Sequence, residues 1–241
     1  MARYTTGRLV QVGRWIAEKA AELDVPVSAA TLCRAAVARL GVSGAVLTVD
    51  TSGWPEVGCA TDVLGERLVE LQVTVGEGPA VDIWRGGGPA LIDDLDAPSS
   101  QARWPLFAPL AVEAGAAALF ALPLCVGAIR VGVLSLYRLD AGHLDAATLT
   151  DSLAFAELAL RLLLDEQANL NATGGDADDL PLHNPQVHQA TGMVAAQLGL
   201  GMADAFAHLR ARAFAEQVPL SGLAADVVAR RRRFDRDGGR P

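Results

Sequence analysis

Lysine is almost missing from this chain: Lys19 stands alone, and arginine supplies the rest of the positive charge. Cysteine is equally sparse, and the three present, Cys33, Cys59 and Cys125, are far apart and odd in number. They read as small apolar residues packed in a reducing compartment, not as a disulfide framework or a metal cluster. Long apolar runs are absent too. Segments such as 116–126 are too short for a bilayer and contain Pro123. The first fifteen residues hold no continuous apolar stretch of the kind a secretion signal needs, so a cytoplasmic protein is expected. Aromatics make up only 5% of the residues, and no phosphate-binding glycine loop followed by lysine occurs, since Gly86–Gly88 lacks the cation.

What the chain does have is an uneven distribution of charge. Residues 183–241 carry eight arginines against five carboxylates, whereas residues 1–182 carry twelve basic against twenty-three acidic side chains. The net charge of −8 therefore hides a basic module. Arginine concentrated on a small helical unit suits a polyanion, although arginine at a helix C-terminus also favours the helix dipole. His183, His188 and His208 lie on at least two elements with no carboxylate or cysteine companions, so no metal site is expected.

Spacing and punctuation resolve that module into three helices. Asn184 and Pro185 suit the start of the first, in which Val187, Ala190, Val194 and Leu198 recur on one face. Gly199 and Gly201 stop it. The second starts near Met202 and buries Ala205, Phe206, Leu209 and Ala213 before Pro219 ends it. Ser221 is expected to cap the third, with Leu220, Leu223, Ala224, Val227 and Val228 as its apolar stripe ahead of Arg230–Arg233. Gly192 inside the first helix costs about 1 kcal/mol relative to alanine. Either a neighbour approaches closely there or the glycine is merely tolerated.

QATGM at 189–193, ADAFAHLRARAF at 203–214 and PLSGLAADVVARR at 219–231 together resemble the ANTAR domain, a three-helix RNA-binding module of bacterial antitermination regulators. Ala190, Gly192, Ala205, Leu209, Arg210, Ala213, Leu220, Ala224 and Val228 match the family pattern. Thr191 departs from it where lysine is common, as do Gln217 and Val218 where a basic residue is frequent. The resemblance implies a homodimer that contacts the loops of paired RNA hairpins and prevents a terminator from forming. The residues assigned to RNA are Gln189, Ala190, Thr191, Gly192, Arg210, Arg212 and Ser221. Exposed loop bases suit this set, because amides, hydroxyls and guanidinium groups on a helix surface can bond to them and stack on them without entering a groove.

Upstream, residues 8–165 alternate helical and strand signals in an α+β order. A helical period runs through 9–21, and Ser28 caps a helix ending at Leu40. Strands are expected at 45–50, around Val57 and at 89–94, helices at 63–71 and 106–113, and a hairpin pairs 117–124 with 128–137 through Val126 and Gly127. Such an order builds an antiparallel sheet with helices segregated to one side. Residues 166–182, in which Gly174 and Gly175 precede three aspartates, are a polar, flexible linker to the three helices at 183–234.

The blocks at 72–95 and 103–138 and the leucine-rich last helix resemble a GAF domain, a small sensory fold, in the variety found ahead of ANTAR modules in actinobacterial regulators. That resemblance implies a small-molecule ligand without naming it. The residue constellation of cyclic-nucleotide binders is absent, and His143, the one histidine before the linker, sits in a loop, so no cofactor is assigned. A GAF-fold reductase of free methionine sulfoxide uses cysteine, which keeps Cys59 and Cys125 in view. Glu77, Asp93 and Asp94 are expected to bond to turn backbone rather than to act as acid and base. No catalytic residue is assigned. In the last helix Leu149, Leu153, Ala156, Leu160 and Leu163 follow four-three spacing, with Phe155, Leu158 and Leu162 on further faces. A helix this apolar needs more than one cover, and a second subunit is expected to supply one. Two readings stand: an RNA-binding antitermination regulator with a GAF-like sensory and dimerisation domain, or a small-molecule-binding or redox GAF protein whose helical tail mediates protein contacts.

Overall fold

A computed structural model describes residues 2–51, 54–172 and 185–235. The chain divides into two compact units. The first comprises 1–69 and 77–183, the second 70–76 and 184–241.

In chain order the first unit begins with helices α1 (Ala2–Glu22) and α2 (Ala29–Leu40) and strands β1 (Gly44–Thr51) and β2 (Trp54–Ala60). Helix α3 (Val63–Val75) passes from one unit to the other. There follow α4 (Pro79–Trp84), β3 (Ala90–Ile92), α5 (Pro98–Arg103), α6 (Phe107–Glu113), β4 (Ala118–Val126), β5 (Ile129–Arg138) and α7 (Ala146–Ala172). The local signals explain the boundaries. Ser28 and Thr31 form a reciprocal capping box at the start of α2, and Gly41 closes that helix in the left-handed conformation at φ 60°. Gly127, at φ 61°, makes the tight turn between β4 and β5.

The five strands form one antiparallel sheet in the order β2-β1-β5-β4-β3. Pairing places Cys59, Leu47, Leu134 and Leu122 in one row across it. This face carries the main core, where α1, α2 and α7 contribute Val12, Leu32, Cys33, Phe155, Ala159 and Leu163. Trp15 stacks on Phe155 with ring centroids 6.4 Å apart, and Arg8 of α1 pairs with Asp151 of α7.

The other face is covered as well, which corrects the expectation of helices on one side only. Gly65 of α3 sits so close to Val46 that a Cβ there would lie 2.5 Å from the valine methyl, and α4 packs on β3, β4 and β5. On this second face the central strands β1, β4 and β5 bury Val46, Leu119, Ala121 and Val133, so it too needs cover. Two helices escaped the sequence pattern, α4 and α5, because six residues are too few to display a helical period. Helix α7 runs on through Ala172, so 166–172, expected as linker, are helical; the rest of that segment lies outside the described residues.

The second unit holds α8 (Pro185–Leu198), α9 (Met202–Glu216) and α10 (Leu220–Val228) together with the segment 70–76. Gly199 at φ 68° ends α8, with its own N–H and that of Leu200 bonded to the Ala195 carbonyl. The shared core is Ala190, Val194, Ala205, Phe206, Leu209, Ala213, Leu220, Leu223, Ala224 and Val227.

Candidate RNA-binding surface of the C-terminal helices

Arg210, Arg212, Arg231 and Arg232 of the second unit are tied locally. After α10 the chain reverses at Arg230, which adopts φ 60°, and Phe234 returns to the bundle, 7% exposed, its N–H bonded to the side-chain oxygen of Gln197 at 2.8 Å. Arg212 holds this return: its guanidinium lies 4.8 Å from the Phe234 ring centre, donates to the Arg233 carbonyl at 3.0 Å and pairs with Glu216 at 2.9 Å. Glu216 also takes Arg232, and Asp226 takes Arg231. Among the described residues Arg230 and Arg233 are exposed and make no ion pair.

Arg210 and Ser221 meet the segment 70–76. The Arg210 guanidinium donates from Nε to the Thr74 carbonyl at 3.2 Å, near the C-terminal end of α3, where a helix dipole favours a cation. It also lies 5.7 Å from the Phe206 ring centre. A Cβ on Gly76, itself at φ 72°, would fall 2.0 Å from an Arg210 nitrogen, so glycine is required there twice over. Ser221 donates to Glu70 Oε1 from its hydroxyl at 2.6 Å and from its backbone N–H at 3.1 Å. Ser221 is therefore not the cap of α10, as the sequence suggested. Pro219 is the N-cap and offers no side-chain acceptor, so the Glu70 carboxylate satisfies an orphan donor of the first turn.

The residues on α8 separate into two groups. Gln189 is exposed and Gly192 half-buried. Ala190 and Thr191, assigned to an RNA surface from the sequence, instead face the core, at 0% and 2% exposure. Burial of Thr191 is tolerated because its hydroxyl donates to the Val187 carbonyl at 2.7 Å, one turn back. An added Cβ on Gly192 would have nothing within 4 Å. No close neighbour within the described residues explains that glycine. Gln189, Gly192, Arg210, Arg212 and Ser221 thus remain as partly or fully accessible groups on the bundle, the last three already bonded within the unit.

In the first unit several polar side chains are bonded locally, while the Trp84 indole N–H and the Ser135 hydroxyl are buried with no hydrogen-bond partner among the described residues. Glu77 accepts the backbone N–H groups of Leu106 and Phe107, and Asp94 that of Asp96, both as expected of turn carboxylates. Asp82 accepts from Arg103 and from the Trp104 indole. Tyr137 donates to Asp62 at 2.5 Å, and burial together with that carboxylate pushes its phenol well above the ordinary range. The cysteines depart from expectation. Cys33 and Cys59 are buried, but their sulfurs lie only 3.0 Å apart; Cys125 is half-buried and apart from them. Sequence spacing hid this pair because α2 and the edge strand β2 bring its members together in space.

Arginine on the outer surface of a small helical bundle is chemically suited to a polyanion. Comparison makes the class specific: residues 182–228 match the ANTAR domain family, which implies an RNA-binding antitermination regulator. Among solved structures, the chain is similar to the GAF domain of a phosphoenolpyruvate-protein phosphotransferase from Coxiella burnetii, at 14% identity and TM-score 0.48 over 69% of this chain and 98% of that one. It is also similar to the GAF domain of the Acinetobacter phosphoenolpyruvate-protein phosphotransferase, at 11% identity and TM-score 0.49 over 72% and 99%. The GAF-B domain of DevS from Mycobacterium smegmatis aligns at 15% identity and TM-score 0.41 over 60% and 99%. No curated protein matches the chain. No described helix is long and apolar enough to cross a membrane.

Proposed function

We propose that this protein is a cytoplasmic, non-catalytic regulator of transcription antitermination, in which a GAF-like unit governs RNA binding by the ANTAR helices. The observation that carries the reading is the match of 182–228 to the ANTAR family on a bundle with accessible arginine. Gln189, Gly192, Arg210, Arg212 and Ser221, joined by Arg230 and Arg233, form the proposed RNA surface. Arginine neutralises phosphate and stacks on unpaired bases, which is what recognition of hairpin loops requires.

Control is proposed through the segment 70–76. It holds Ser221 through Glu70 and Arg210 through the Thr74 carbonyl, so it competes with RNA for two of the proposed contacts. A small molecule bound to the GAF-like unit would regulate RNA binding only if it favoured one state of this segment over the other. Dimerisation is proposed through α7, where Leu153 and Leu164 are 49% and 39% exposed, three turns apart on one face.

Single-round transcription in vitro tests the reading. On templates carrying paired hairpins before a terminator, the protein should raise read-through, and Arg210→Ala should reduce that effect. Read-through independent of the protein at every concentration would overturn it.

A further inference from the structure

Two thiols come together in the first unit, which holds none of the proposed RNA-binding residues. Cys33 lies on α2, fully buried, and Cys59 on the edge strand β2, 7% exposed; their sulfurs are 3.0 Å apart. A disulfide needs a separation of about 2.05 Å, so closure asks for a movement of about 1 Å, within reach of χ1 adjustment in an edge strand. Cys59 ends the row Cys59, Leu47, Leu134 and Leu122 on the face where α2 packs. A bond here would therefore tie α2 to an edge strand of the sheet.

We propose that Cys33 and Cys59 are a redox site: a peroxide oxidises them to an intramolecular disulfide linking α2 to β2, and a dithiol reductant reopens it. The two thiols have unequal roles. Cys33 is the more deeply buried, and its hydrogen bond with Cys59 and its burial raise its pKa. Cys59 is lowered, first by that same hydrogen bond, then by a hydrogen bond with the Leu47 backbone and by the charge of Arg34; burial and Glu166 act against this. Because the thiolate is the nucleophile, Cys59 reacts first.

Its sulfur attacks one peroxide oxygen, a sulfur–oxygen bond forms and the oxygen–oxygen bond breaks. The departing hydroxide takes the proton that Cys59 gave up and leaves as water, with Cys59 now a sulfenic acid. The Cys33 sulfur then attacks Cys59. The sulfur–sulfur bond forms, the sulfur–oxygen bond breaks, and the departing hydroxide takes the Cys33 proton. Two thiols and one peroxide thus give one disulfide and two waters, with two electrons passing from sulfur to peroxide. Reduction follows by thiol–disulfide exchange, in which the external dithiol becomes the oxidised partner. The proposal is independent of the reading of the C-terminal helices.

Reduced full-length protein should be treated with hydrogen peroxide, quenched with catalase, unfolded in the presence of a maleimide and mapped by mass spectrometry. Two of the three thiols should become unreactive, in a linked pair of peptides containing Cys33 and Cys59. Dithiothreitol should restore all three. The oxidised protein should also melt at higher temperature than the reduced one, because the bond closes a loop spanning 26 positions in the unfolded chain. Cys33→Ser should stop at a sulfenic acid on Cys59, captured by dimedone, with no rise in melting temperature. Retention of three reactive thiols at peroxide doses that oxidise a free low-pKa thiol, or cross-linking solely through Cys125 of two copies, would overturn the proposal.

Discussion

Glu70 caps α10 through Ser221. One carboxylate oxygen receives both the serine hydroxyl at 2.6 Å and the serine N–H at 3.1 Å. A helix whose own N-cap is proline thus borrows its acceptor from the segment 70–76. Glu70→Ala should cost the C-terminal unit about 1 kcal/mol, as loss of a cap does, and should release Ser221. Hairpin RNA should then bind more tightly, by fluorescence anisotropy, despite the lower stability. Unchanged or weaker RNA binding would mean that Glu70 merely supports the helix.

Gly192 offers a cleaner separation of fold from function. With space around its missing Cβ, Gly192→Ala should stabilise α8 by about 0.5–1 kcal/mol, since alanine is the better helix former. If RNA or a partner helix approaches there, the same methyl should weaken RNA binding about tenfold, equivalent to about 1.4 kcal/mol. Urea unfolding and RNA titration of the same samples check both halves. Increased stability with undiminished binding would remove Gly192 from the surface.

Thr191→Lys looks from the sequence like a gain of a phosphate contact, since lysine is common at the equivalent family position. The structure predicts otherwise. Thr191 is buried against the bundle core, so an ammonium there should destabilise the unit by about 2–4 kcal/mol through desolvation of an unpaired charge. Denaturant midpoints compared with Thr191→Ala, which keeps the core apolar, should display the difference.

The elements with strong local punctuation could be read directly from the residues: Ser28 before α2, Gly127 in the β4–β5 turn and Gly199 after α8 each impose geometry on their own neighbours. Less could be read where tertiary context decides. Val73, Thr74 and Val75 favour strands intrinsically, yet they end helix α3, because propensity yields to packing. Sheet register brings Cys59 opposite Leu47, and only the packing of α2 then delivers Cys33. At the candidate site, the helices and their core stripe follow from periodicity alone. The inward direction of Thr191 does not, since a threonine that can bond to the preceding turn fits either face.

Dimerisation through α7 makes a further demand. Light scattering at micromolar concentration should give twice the chain mass, and Leu153→Glu should shift it to the monomer without loss of helical signal, because Leu153 is half-exposed in the single subunit. A wild-type monomer would reject the interface, and a dimeric Leu153→Glu would move it elsewhere on the chain.

RNA binding by the C-terminal helices can be tested by capture from a cell extract. Full-length protein should be cross-linked to the bound transcripts, which are then recovered and sequenced beside a control in which Arg210, Arg230 and Arg233 are replaced by alanine. Leader segments bearing two neighbouring hairpins ahead of a terminator should be strongly enriched, and this enrichment should be lost in the triple variant. Recovery of the same RNA at the same level from the wild type, the variant and empty resin would contradict it.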